Sequence, residues 1–264
     1  MITQIKPGSL LLLLLTVMIL FTACKKDKAT AEIPIVILPP APVLENKTYL
    51  PERLNAGNSS IFFNYSAASA LTEIDYGNGD KVTIQYDKNG YPYWLRRYIN
   101  NELTYHADYF LNKDGLIIKA EMFTVRKKFE YSAGYYTLKY DQNKQPVTVS
   151  YYDDNDQLLQ EQKNIFNASG NLLSETNGVH LLTSCNYDNK NGLFKNVKYA
   201  WLFALEKENP LLLSSINNLK DYINLPNPVH NKSFSYVYNP DNYPKTIHTT
   251  VNGVVSTTQV VYKK

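Results

Sequence analysis

Val82-Thr83-Ile84-Gln85-Tyr86-Asp87-Lys88-Asn89-Gly90-Tyr91 contains both halves of the pattern that decides the fold. Val82, Ile84 and Tyr86 alternate with polar neighbours, the period of a strand with one buried face. Asp87 then heads a reversal. Its carboxylate can accept from backbone amides two residues on, and Gly90 supplies the positive φ that a tight return requires. The stretch reads as a strand running into a turn.

The same unit recurs as Leu111-Asn112-Lys113-Asp114-Gly115, Tyr140-Asp141-Gln142-Asn143-Lys144, Phe166-Asn167-Ala168-Ser169-Gly170, Tyr187-Asp188-Asn189-Lys190-Asn191-Gly192 and Tyr238-Asn239-Pro240-Asp241-Asn242. The leading residues stand 25, 29, 26, 21 and 51 apart, the last close to two periods, and a degenerate copy begins at Tyr65. Between these units lie further turns: Asn78-Gly79, Asn100-Asn101, Asp153 to Asp156, Asn177-Gly178 and Asn252-Gly253. Asn-Gly flanked by apolar alternation is a strong hairpin signal. Two turns per period leave two strands of roughly 7–10 residues each, joined directly to their neighbours. The prediction is an all-β antiparallel meander of about 13–15 strands, coiled by its own twist into an open or closed barrel.

Two segments depart from the rhythm. From Glu206 to Pro226, Leu212, Ile216, Leu219 and Tyr222 fall at helical spacing and Pro226 stops them, which predicts a helical insert over about 206–226 that covers or plugs the sheet. Residues 24–58 carry Pro34, Pro39, Pro40, Pro42 and Pro51 and read as a stalk, leaving 59–264 as the β domain.

Ahead of the stalk, an apolar run from Leu10 to Phe21 follows Lys6 and ends in Leu20-Phe21-Thr22-Ala23-Cys24. It is shorter than the roughly 20 residues that span a bilayer, so residues 1–23 read as a signal peptide. Small Ala23 before Cys24 resembles a bacterial lipoprotein processing site. Cys24 is therefore predicted to carry lipid and to hold the chain on a membrane. Lys25 at the next position favours the outer membrane, with the leaflet open between periplasmic and surface. With Cys24 acylated, Cys185 has no partner; two residues before Tyr187, it reads as a small buried hydrophobe.

Twenty-seven Lys and Arg stand against 24 Asp and Glu, a formal charge of +3, and the basic residues are scattered. Nucleic-acid binding would need them concentrated in a stripe, so no nucleic-acid partner is expected. His106, His180, His230 and His248 lack metal-ligand spacing, and no motif for a cofactor, a nucleophilic serine or a phosphate loop is present. The expectation is no metal, no cofactor and no catalytic residue. Glu121, Glu130, Glu161 and Glu175 recur along strands, but nothing in their spacing selects an acid–base pair.

The repeats resemble the tyrosine–aspartate repeats of Rhs-type shell proteins and teneurins, without the Arg that commonly follows the glycine; Tyr91, Leu116 and Asn171 stand there instead. A closer likeness, over roughly 60–264, is to Bacteroidetes-type envelope lipoproteins with a porin-like sheet, carried most specifically by Tyr187-Asp188 with Gly192-Leu193-Phe194-Lys195-Asn196. That resemblance implies an envelope lipoprotein and assigns no catalytic residue.

Twenty-two Tyr, 10 Phe and 2 Trp give the chain its functional candidates. Aromatic faces stack on sugar rings, so Tyr91, Tyr93 and Trp94, or Tyr199 and Trp201, could form a glycan platform; cross-strand packing accounts for the same residues. The leading expectation is a non-enzymatic lipid-anchored envelope protein whose β domain binds a glycan or an envelope protein. The alternatives are a structural partner of an outer-membrane complex and a glycan-active enzyme. A transmembrane barrel is disfavoured by the lipobox and by the lack of an outward apolar belt.

Overall fold

The structure is a computed structural model that describes residues 48–206 and 209–263. Cys24 and the segment read as signal peptide lie outside the described residues. Sixteen antiparallel strands follow one another in chain order and close on themselves. They are β1 (Pro51–Ala56), β2 (Ser59–Tyr65), β3 (Leu71–Gly77), β4 (Asp80–Tyr86), β5 (Pro92–Ile99), β6 (Glu102–Leu111), β7 (Ile117–Arg126) and β8 (Phe129–Tyr140), followed by β9 (Pro146–Tyr152), β10 (Leu158–Phe166), β11 (Leu172–Thr176), β12 (Leu181–Tyr187), β13 (Leu219–Asn224), β14 (Lys232–Tyr238), β15 (Pro244–Val251) and β16 (Val254–Tyr262). β1 pairs with β16, in the register Leu54↔Val260, and with β2. Closure leaves no sheet edge.

Two expectations are corrected. β1 lies inside the stretch read as stalk, because Pro51 opens a strand rather than interrupting one, and the β domain begins before residue 59. The helix is also misplaced. Helical structure falls at α1 (Ala200–Leu205) and in a 3-10 turn at Pro210–Leu213, whereas Leu219–Asn224 is strand β13. Leu212 and Leu219 share helical spacing because both are buried, one in the 3-10 turn and the other on the barrel wall. Pairing of Cys185 with Tyr222 and of Tyr187 with Leu219 overrides that local pattern.

Two kinds of connection recur, and each predominates at one end of the barrel. At one end, Asp or Asn, with Ser66 in the β2–β3 turn, heads the short turns and accepts from the amides two and four residues on. Asp87 Oδ1 accepts from Asn89 and Tyr91 N–H at 2.8 and 2.9 Å, and Asn112, Asp141, Asn167 and Asn239 repeat the arrangement. At the other end, two-residue reversals hold both residues at positive φ at Asn78-Gly79, Asn100-Asn101, Lys127-Lys128 and Asn252-Gly253, while β9–β10 turns on Asp153 in the Asx manner and β11–β12 and β13–β14 are joined by longer loops. The two-residue reversals are the hairpin turns whose twist matches that of the strands. We refer to the Asx-turn end and the tight-turn end.

Tyrosines leading three of the repeats, with one more on β14 and one on β16, point inward and pin the wall. Tyr65, Tyr86, Tyr140 and Tyr262 donate their hydroxyls to the carbonyls of Pro51, Leu71, Ile117 and Pro244, and Tyr236 donates to Leu219. Each acceptor opens a strand, after an Asx- or Ser-headed turn, after the plug, or at Pro51 of β1, so the hydroxyls tie neighbouring strands together.

A sixteen-strand wall encloses more space than its own side chains fill. The connection from β12 to β13, residues 188–218, fills it from the Asx-turn end. Leu193, Phe194, Val197, Ala200, Leu202, Phe203, Leu211 and Leu212 are buried in one cluster with Phe63, Ile74, Ile84, Leu95, Tyr109, Val149 and Leu219 of the wall. Each such side chain contributes about 1.5–3 kcal/mol relative to exposure. Phe194 meets Phe63 edge to face at 5.3 Å. What remains between plug and wall beside Phe63 and Phe194 is a void of about 10 Å³, too small for more than one water.

Candidate functional site

The plug ends on a carboxylate held by the wall. Glu206 follows α1 and accepts from the hydroxyls of Tyr105 and Tyr136, each at 2.8 Å, and of Tyr109 at 3.5 Å. Its backbone carbonyl accepts from the Arg97 guanidinium at 3.0 Å, and that guanidinium stacks over Tyr105. Burial first and the Glu206 charge second push the Tyr105, Tyr109 and Tyr136 hydroxyls well above the ordinary phenol range. They therefore donate and do not ionise. A second interior carboxylate, Glu175, accepts from Gln162 and Thr183, both at 2.8 Å. Both carboxylates are engaged by protein donors: Glu206 fastens plug to wall, and Glu175 ties β11 to its neighbours β10 and β12.

The outer face is different in kind. Alternation turns Lys81, Thr83 and Gln85 of β4 and Trp94, Arg96 and Tyr98 of β5 away from the core. Ion pairs lie across this surface: Lys81–Glu73 at 3.5 Å, Lys119–Glu121 at 2.8 Å and Lys163–Glu161 at 3.8 Å. Aromatic rings carry cations, with Arg53 over Phe62, Lys81 over Tyr98, Arg96 over Trp94 and Lys119 over Tyr135. Lys or Arg facing hydrocarbon at mid-bilayer costs about 2–4 kcal/mol. The charged part of this face suits water and not hydrocarbon.

Within it, β2 to β5 form a shallow concavity of about 540 Å³, lined by Asn64, Thr72, Glu73, Thr83, Ile84, Gln85, Trp94, Arg96 and Tyr98. Trp94 forms one wall, with the Arg96 guanidinium 4.1 Å from its ring centre. Tyr93 meets Trp94 edge to face at 5.8 Å and donates its hydroxyl to the Gln85 side chain. The aromatic surface continues around the barrel. His106 stacks on Phe123 at 4.6 Å and Tyr135 on Tyr152 at 4.8 Å, both nearly parallel. His106 lies 3.5 Å from Asp108 and from Glu130. Among the described residues no cluster of His, Cys, Asp and Glu has the makings of a metal site.

The five aromatics singled out from sequence do not form one platform. Tyr93 and Trp94 share the outer face beside the concavity. The Tyr91 ring lies over Gly115 at the Asx-turn end, where a Cβ on that glycine would overlap it. Tyr199 and Trp201 belong to the plug and are partly buried, Tyr199 packing on Tyr86 at 5.4 Å. Arg96, Glu73 and Asn64 escaped the sequence reading. Their pairing across four strands, Asn64↔Glu73↔Thr83↔Arg96, follows from register alone, although the Trp94-x-Arg96 spacing on one strand face was legible. Glu206 was likewise invisible, since its partners sit on β5, β6 and β8. Cys185 is buried, and burial pushes its thiol up to about 12.

No helix among the described residues is long and apolar enough to cross a membrane. No protein-family model and no curated protein sequence matches the chain. Among solved structures, it is similar to a porin-like protein from Bacteroides uniformis, at 10% identity and TM-score 0.51 over 81% of this chain and 98% of that one. A porin-like protein from Bacteroides vulgatus aligns at 14% identity over 82% and 99% of the two chains, with a TM-score of 0.38. The likeness to the first concerns the fold: a barrel of the same kind, at an identity too low to carry a ligand or an activity across.

Proposed function

We propose that this chain is a lipid-anchored protein of the cell envelope, at the outer membrane, whose water-facing barrel binds a glycan on its outer face at β4 and β5. The observation that carries the reading is the concavity beside Trp94. It joins aromatic walls to amide and hydroxyl edges from Asn64, Thr83 and Gln85, the combination that suits a sugar's apolar faces and its hydroxyls. One carboxylate, Glu73, lines it, and that side chain is held by Asn64 at 2.8 Å and Lys81 at 3.5 Å. An acid–base pair is not assembled there, which favours binding over hydrolysis. The lipobox ending at Cys24 supports the anchor.

The test is a saccharide array probed with the full-length chain beside Trp94→Ala and Tyr93→Ala. Binding that falls at least tenfold in Trp94→Ala, with the melting temperature within a few degrees of the parent, supports the reading; binding indifferent to both substitutions overturns it. For the anchor, Cys24→Ser should leave the precursor uncleaved and unlabelled by fatty acid, and normal processing would remove that part of the proposal.

A second reading, docking to an envelope protein, is favoured by the tight-turn end. Three neighbouring hairpin tips there expose Val179 (83%), Leu225 (46%), Val229 (54%), Val254 (71%) and Val255 (61%). No acidic residue lies in 176–182, 223–232 or 250–257. Exposed apolar side chains gathered on neighbouring tips suit an interaction site.

A further inference from the structure

Resting on the saccharide reading above, we infer that the Trp94–Arg96 pair recognises a sugar carboxylate, which makes the ligand an acidic saccharide built with uronic-acid-type residues. The concavity contains two charged groups, and the protein treats them differently. Glu73 is satisfied internally, one oxygen accepting from Asn64 Nδ2 at 2.8 Å and the other pairing with Lys81 at 3.5 Å. Arg96 has no ion pair and no hydrogen bond among the described residues; its guanidinium stacks on the Trp94 ring at 4.1 Å.

The chemistry follows from that stacking. A guanidinium lying over an indole keeps its plane fixed while its N–H edges point away from the ring. A fixed planar fork of donors matches a carboxylate, which accepts two parallel bonds. The same stacking occupies a face of Trp94 that a neutral pyranose would otherwise use, so the apolar contribution there comes partly from the guanidinium itself. Across the register, Thr83 and His106 flank Arg96, and Gln85 and Asp108 flank Trp94. Neutral donors and acceptors from Asn64, Thr72, Thr83 and Tyr98 then remain for ring hydroxyls. The other guanidinium over a ring on this face, Arg53 at Phe62, does not line the concavity, and the lysines named above are committed to carboxylates. Lys119 is paired with Glu121 at 2.8 Å, Lys163 with Glu161 at 3.8 Å, and Lys81 is committed to Glu73.

Titration calorimetry on the full-length chain tests this with four probes: polygalacturonate oligosaccharides, their methyl esters, a neutral galactose oligomer and a sulfated galactan oligomer. The acid should bind at least tenfold more tightly than its ester and than the neutral oligomer, and weaken as salt rises. Arg96→Gln should remove that preference. Arg96→Lys should retain part of it, since charge survives and the bidentate fork does not. Equal binding of acid and ester, lost in Trp94→Ala, would overturn the carboxylate assignment and leave the saccharide reading standing. Sulfated galactan binding as tightly as the uronic acid would also overturn it, by assigning Arg96 to a tetrahedral oxyanion. No binding of any of the four would bring down both. Melting temperatures of all variants separate loss of the site from loss of the fold.

Discussion

At the Asx-turn end the barrel is laced to its plug: Asn171 and Asn217 bond to each other, Asn191 reaches Asp241 and Asn242, and Lys198 exchanges backbone bonds with Ser69 and Leu71. Asp188 accepts from Lys190 N–H at 2.9 Å, from Asn218 through its N–H and its side-chain amide, and from the Tyr238 hydroxyl. At the tight-turn end, among the described residues, no plug is laced in: the contacts run between neighbouring hairpins, as where Asn101 N–H donates to the Gly79 carbonyl at 2.9 Å, and Val179, Val229 and Val254 stand exposed at the tips. One repeat thus carries two kinds of reversal with different work. The first end holds plug to wall, and the second mainly returns the chain. Residues at the first end should therefore be costly to change, and those at the second cheap.

The largest expected effect comes from closure itself. A chain begun at Asn58 lacks β1, exposing the edges of β2 and β16 together, and should lose cooperative thermal unfolding, whereas a chain begun at Lys47 should keep it. Melting followed by far-UV dichroism decides this, and equal cooperativity in both would show that closure does not matter.

The glycines put the two ends in direct contrast. Gly192 has no positive φ, contrary to the reading of its repeat as a turn; a Cβ there would overlap the Ser214 carbonyl, where the plug crosses it. Gly192→Val should cost about 3 kcal/mol or more. Gly178, at φ +86 with open space around it, should cost about 1 kcal/mol on the same change. Urea midpoints for the two variants, compared at unchanged m-value, would reverse the comparison if Gly178→Val proved the worse.

Tyrosine hydroxyls give a finer test. Tyr136→Phe removes a donor to Glu206 in the buried interior and should cost about 1.5–3 kcal/mol, while Tyr140→Phe removes a bond to the Ile117 carbonyl and should cost about 1. Equal losses would mean that the Glu206 cluster is no stronger a fastening than a single wall pin. The smallest effect is expected at Cys185. With its thiol buried and its pKa near 12, it should resist iodoacetamide at pH 8 in the folded protein and react at once in denaturant. Prompt labelling of the native chain would show that the wall opens around β12.

Sequence alone determined the strand repeat, the sense of pairing and the turn chemistry, because each depends on residues a few positions apart: period two in Val82-Ile84-Tyr86, an acceptor at Asp87, glycine or asparagine where φ is positive. It also marked where the rhythm breaks after Tyr187. It could not say that the sheet closes, since closure rests on a register between Leu54 and Val260. It also misjudged the break, because helical spacing in Leu212, Ile216 and Leu219 is indistinguishable from burial on two separate elements. Only tertiary structure decided that residues 188–218 turn inward, and the reason is volume: sixteen strands enclose a space that the wall cannot fill. The candidate site divides in the same way. Trp94 and Arg96 could be read on one strand face, but Asn64, Glu73 and Thr83 reach them only through pairing across four strands, and Glu206 meets its tyrosines only because the plug carries it into the barrel.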